Sequence, residues 1–248
     1  MTSTLHIHYP IIWTHARTMS SSKNKVIDLT HSLVTSNVFS CPGHPTFSAE
    51  RTMNLAKGDP ANVHTLTIGT HSGTHIDAPY HFFENGTKVD EIDLTLLTAA
   101  QAVLVDARNK KAHEAITWED LTPYAGRMQP GVAVLLCTGW SRYWGQSNYT
   151  DHPYLDGEAS KKMLELGVKV VGIDAMSPDE VDPVKGACID VHNIVLGNGG
   201  VIVENLTGLE EVIESGMSLD DLVVSLLPLR LTGLDGSPVR AVIWESRK

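Results

Sequence analysis

Short apolar runs recur along most of the chain and constrain its fold more than any other feature. Val26–Leu29 and His64–Ile68 alternate as strands do, while Gln101–Asp106, Val132–Leu136 and Val168–Ile173 read as short buried strands. Leu226–Leu231 and Val239–Trp244 read as two more, joined by a tight turn at Gly233–Gly236. Helical segments are fewer. Asp156 is placed to cap a helix that runs through Glu165 and Leu166 and stops at Gly167, directly before a strand. Thr207 and Glu210 have the spacing of a capping box for a helix Leu209–Glu214, and Ser218 with Asp221 resembles another. No repeat or low-complexity linker divides the chain. Residues 26–248 are therefore expected to form one β-rich mixed domain of the α/β class, with residues 1–25 as an N-terminal extension.

Composition removes several functions. A net charge of −10, with no basic run longer than Lys110–Lys111 or Lys161–Lys162, argues against a nucleic-acid or anionic membrane partner. The longest apolar run, Val132–Cys137, falls far short of the roughly 20 residues of a membrane helix. Cys41, Cys137 and Cys188 are odd in number and scattered, so neither a disulfide framework nor a paired-cysteine zinc site is expected, and a reducing, cytoplasmic setting follows. The extension holds Arg17, Lys23 and Lys25 and no acid, a faint transit-peptide pattern, but Pro10 interrupts any amphipathic helix; it reads as a loose extension.

Histidine is the unusual residue. Three of the 12 histidines, His71, His75 and His81, fall within eleven residues that also contain Asp77. Their offsets are all even, so an extended backbone would turn all four side chains to one face, whereas a helix would scatter them and is opposed by Gly73 and Pro79. Imidazole and carboxylate donors of this kind suit Zn²⁺, Mn²⁺ or Fe²⁺, and His71, His75 and Asp77 make a three-ligand set. His81 lies beyond a proline bend, where spacing alone leaves two roles open, a fourth ligand or a proton carrier beside the metal. Glu204 ends an apolar strand, where a carboxylate would need a metal or a cation, unless it caps the following helix or turns to solvent. His192 alone reads as a structural histidine, and Cys188, with no second cysteine nearby, as core.

The run HSGTHIDAPYHF at 71–82, with Asn85–Asp93, resembles the H-x-G-T-H-x-D-x-P-x-H signature of the cyclase-like metal hydrolases, which include bacterial kynurenine formamidase and isatin hydrolase. The likeness continues through Val170–Asp174, His192, Val201–Asn205 and Leu234–Val239. It implies a swivelling β/β/α domain, assembled as a homodimer or homotetramer. It also implies two divalent ions, zinc or manganese: one on His71, His75 and Asp77, the other on Asp77, His192 and Glu204. His81 matches the residue that gives and takes the proton. The implied reaction is hydrolysis of a small aromatic amide by metal-activated water, as in tryptophan catabolism, with no serine or cysteine nucleophile. A cyclic amide such as isatin is the alternative substrate. A lyase or cyclase using the same metal, or a metal-dependent binding protein without turnover, are the other readings, and His81 argues against the last.

Substrate contacts are less defined. Cys41 stands where aromatic-selective members place a tryptophan, leaving Phe39, Phe47, Phe82 and Phe83 as alternatives. The Trp140–Trp144 cluster fits a pocket lining or an oligomer interface equally.

Overall fold

A computed structural model describes residues 25–35, 45–182 and 186–246. Eight strands make the main sheet: β1 Val26–Asp28, β2 His75–Asp77, β3 Ala100–Asp106, β4 Val132–Cys137, β5 Val170–Ile173, β6 Val201–Glu204, β7 Leu222–Pro228 and β8 Gly236–Glu245. Their order is β1-β8-β7-β3-β4-β5-β6-β2, and β2 pairs again with β8, so the seven strands from β2 to β8 close into a barrel-like ring. Strands β3 to β6 run parallel, and the pairings of β2, β7 and β8 are antiparallel. The ten-residue β8 makes closure possible, because one edge is shared between two partners. Its first half pairs with β2 and its second half with β1.

Period-two alternation sorts the apolar side chains onto two faces. Ala133, Leu135 and Cys137 of β4 join Leu104, Val203, Val224 and Ile243 inside the ring, with Leu209 and Val212 of a short helix. Val132, Val134 and Leu136 of the same strand face outward with Val103, Val171 and Ile202, onto two covering helices. Both faces of β4 are buried, which is why its run is uninterrupted. The helices are α1 Trp118–Leu121, α2 Gly157–Glu165, α3 Asp190–Gly197 and α4 Leu209–Glu214. Asp156 caps α2 by accepting from the amides of Glu158 and Ala159, as its position predicts.

Several local expectations are corrected. No capping box opens α4: its cap is Gly208, in a left-handed conformation with Asp28 O packed where a β-carbon would stand, Thr207 N donates to Leu29 O, and Glu210 faces Arg142 instead. Ser218 donates to Asp221 in a turn that leads straight into β7. The connection from β7 to β8 is longer than a tight turn, spanning 229–235. His64 lies not in the main sheet but in a separate hairpin, Ser48–Met53 with Val63–Thr67, exposed on both faces. Cys188, expected as core, is half-exposed, whereas Cys137 is buried. Helix α3 was not anticipated. No helix of the described residues is long and apolar enough to cross a membrane. Most of the proposed 1–25 extension, with His6, His8 and His15, lies outside the described residues, as do Phe39, Cys41 and His44.

Candidate metal centre

Strand β2 is held between β6 and β8, with Asp77 opposite Ile202 and Gly236, and His75 opposite Glu204 and Pro238. Alternation sends Ile76 into the core and turns His75 and Asp77 together to the other face, where Glu204 of β6 meets them. Within the motif, the paired strand is confined to His75–Asp77. His71 precedes a turn in which Gly73 adopts φ +66°, with Leu33 packed where a β-carbon would stand. His81 comes from a 3₁₀ turn, Pro79–His81, and His192 from α3. The even spacing therefore does not put four side chains on one strand face; a turn before β2 and another after it bring His71 and His81 back to the same place.

Three groups of possible ligands result, each with donor atoms within 4.8 Å of one another: His71–His81–Asp235 on the open side, and the triads His71–His75–Asp77 and Asp77–His192–Glu204, which share Asp77. His75 Nε2 lies 3.3 Å from Asp77 Oδ1 and 3.4 Å from Glu204 Oε2; His192 Nε2 lies 3.5 Å from Asp77 Oδ2 and 3.4 Å from Glu204 Oε1. Two atoms about 2.1 Å from one tetrahedral ion are about 3.4 Å apart, so these separations suit a shared ion better than direct bonds. Asp77 Oδ2 and Glu204 Oε1 are buried with no hydrogen-bond partner, a costly state for carboxylate oxygens that a cation would relieve. All six residues named from the sequence, His71, His75, Asp77, His81, His192 and Glu204, meet here.

The field in the box is negative. Burial opposes charge on His71, but Asp77 and Asp235 outweigh it and push the imidazole up to about 10. His192 is likewise held well above the usual histidine range: burial works against its charge, and Asp179, Asp77 and Glu204 prevail. Asp77 stays well below the carboxylate range, burial being overcome by His75 and His71. Protons on these imidazoles offset charge that a divalent ion would offset more fully. The donor set, the orphaned oxygens and this field all fit a metal.

Residues that spacing did not single out complete the site. Asp235, on the loop entering β8, sits 2.8 Å from His71 Nε2 and 3.3 Å from His81 Nδ1, and its backbone carbonyl accepts from Ala78 N. Asp179 accepts from His192 Nδ1 at 2.6 Å. His75 Nδ1 bonds the carbonyl of Gly73, which also accepts from Asn205, itself held by the Tyr149 hydroxyl. Each ligand histidine is thus gripped at its far nitrogen. In the sequence, Asp235 lies within the Leu234–Val239 likeness and Asn205 ends the Val201–Asn205 likeness, whereas Asp179 carries no such signal.

His81 is partly open to solvent, and burial pushes its imidazole below the usual range, Asp77 opposing and His71 and His192 reinforcing the shift. Phe82 stacks on His192 at 4.8 Å and meets His81 edge-on at 4.9 Å. The tryptophan cluster divides: Trp140 packs on Tyr143 and the outer core, whereas Trp144 stacks on His31 at 4.2 Å and meets Tyr149 edge-on. His31, in turn, donates its amide to Thr74. Phe47 is half-buried, and Phe83 is exposed against Gly197.

The model of the "Putative cyclase" family matches residues 27–180, and the chain belongs to that family. A kynurenine formamidase of Bacillus cereus is 32% identical over 217 residues, covering 88% of this chain and 96% of its own length. Isatin hydrolase A from Labrenzia aggregata superposes with a TM-score of 0.78 at 22% identity, covering 90% of this chain and 94% of its own. A potential metal-dependent hydrolase with cyclase activity superposes with a TM-score of 0.68 at 20% identity, over 90% of this chain and 99% of its own.

Proposed function

We propose that the chain is a metal-dependent hydrolase that cleaves the C–N bond of a small aromatic amide, with N-formylkynurenine as the leading substrate. The observation that carries this reading is the pair of triads sharing Asp77, with His81 beside them on the open side. The sequence likeness to a kynurenine formamidase supports the substrate class. His71, His75 and Asp77 would hold one ion, and Asp77, His192 and Glu204 a second, zinc or manganese in each case. Divalent ions in such a shell lower the pKa of water toward neutrality and polarise a carbonyl. The complete deep triad, the buried Asp77–His192–Glu204, favours this two-ion arrangement over a cyclic-amide hydrolase with one ion.

The chain's own residues handle the proton. Asp235 accepts from His81 Nδ1, which leaves the Nε2 lone pair as the base. His81 takes a proton from the attacking water and delivers it to the amide nitrogen as the C–N bond breaks, yielding a carboxylic acid and an amine. Phe82 offers a flat apolar wall next to that ring, suited to an aromatic substrate.

The enzyme works in the cytoplasm and self-associates, as a homodimer or homotetramer. The hairpin 48–67 supports self-association: Val63 and Leu66 are exposed, and an isolated two-stranded hairpin is marginal in water without a surface to pack on. Elemental analysis of purified protein, with hydrolysis assays on N-formylkynurenine, isatin and simple lactams, tests the function. Two ions per chain and turnover of the formamide are expected; a metal-free, inactive protein overturns the reading. Light scattering gives the mass, and a monomer removes the assembly.

A further inference from the structure

We infer that Asp179 is the positioning residue that makes His192 a metal ligand, and that it acts on one ion position of the two. This rests on the two-ion reading above and names a residue that the ligand set does not contain. Asp179 is buried, and its carboxylate accepts three bonds: from Val191 N at 2.7 Å, His192 N at 3.0 Å and His192 Nδ1 at 2.6 Å. The first two cap α3. Helix α3 needs that service from outside, because its own cap position is Ile189, whose side chain accepts nothing.

The third bond does something a cap does not require. It places the ring proton on Nδ1 and leaves Nε2 to face Asp77 Oδ2 and Glu204 Oε1. Phe82 stacked on the ring face resists rotation away from that orientation. Asp179 is itself fixed by its loop, since Pro178 O accepts from Leu155 N and Glu180 O accepts from Cys188 N. One carboxylate thus sets both the helix and the ring that the helix carries. The other two ligand histidines do not depend on it: His75 is held by Gly73 O and His71 by Asp235.

The test is calorimetric titration of metal-free protein with Zn²⁺, for the unaltered chain, Asp179→Asn, Asp179→Ala and His192→Ala. His192→Ala identifies the binding step that belongs to the deep triad. In both Asp179 variants that step is expected to weaken roughly 10- to 100-fold, with the other step within about threefold of its original affinity. Should removal of the cap prevent Asp179→Ala from folding, Asp179→Asn, which keeps an amide oxygen as acceptor, carries the test. Co²⁺ substitution adds a second readout, the loss of one of two visible absorption components. An unchanged deep step, or equal weakening of both steps, overturns the inference. A single binding step that His192→Ala leaves intact instead overturns the two-ion reading, and this inference with it.

Discussion

The half of the site formed by Asp77, His192 and Glu204 sits on regular structure and is almost fully enclosed, whereas the half formed by His71, His81 and Asp235 comes from turns, and its His81 and Asp235 reach solvent. Deep residues are fixed by strand register and by a capped helix. Open residues are fixed through the Asp235 carboxylate that touches both imidazoles, and His71 is tied to the deep half as well, its Nδ1 lying 2.6 Å from Asp77 Oδ1. Holding an ion requires donors that do not move, and burial with oriented partners supplies that. Admitting a substrate and exchanging protons require an exposed edge, which loops supply. The division between the halves follows the division of chemical labour.

Asp77 belongs to both triads, so its removal should erase the distinction: Asp77→Ala is expected to abolish uptake of both ions and reduce hydrolysis to background, measured by elemental analysis and amide turnover. Retention of one full ion would mean that the halves do not share this residue. His81→Ala confines the damage to the open half. Activity should fall about 10²- to 10⁴-fold with ion content unchanged, and a parallel loss of metal would make His81 a ligand instead. Asp235→Asn weakens the grip on His71 and His81 without reaching the deep triad. A loss of roughly tenfold in kcat/KM is expected, with Zn²⁺ binding at the deep step preserved in titration. The smallest effect is thermal. With ions at about 100 times their Kd, binding adds about 2.7 kcal/mol to stability, so a chelator should lower the Tm by several degrees. An unchanged Tm would mean that the deep half closes without an ion.

Much of this was legible in the sequence, for reasons that differ by residue. Strands β3, β4 and β5 announce themselves because burial on both faces demands continuous apolar runs. The histidine-aspartate cluster is legible as a cluster, but its even spacing identified it through a geometry that holds only for His75 and Asp77. His71 and His81 arrive by turns whose shapes depend on Gly73 and Pro79. Helix α3 was invisible for a physical reason: its capping carboxylate, Asp179, stands well before the helix, so the local signal at Ile189 is missing. Asp235 meets His71 across 164 residues, a contact that no local pattern encodes.

The closure of the ring by β8 carries a consequence for how the protein comes into being. Among the described residues, strand β2 finds its neighbours only in β6 and β8, both made long after it, and Asp235 enters just before β8. During synthesis the ligand strand therefore stays without these partners until β6 and β8 have been made. A growing chain presents its histidines to the cell without the geometry that selects an ion. Metal loading is thereby deferred until β8 is in place, and truncation ahead of β8 removes the site rather than a decoration at its edge.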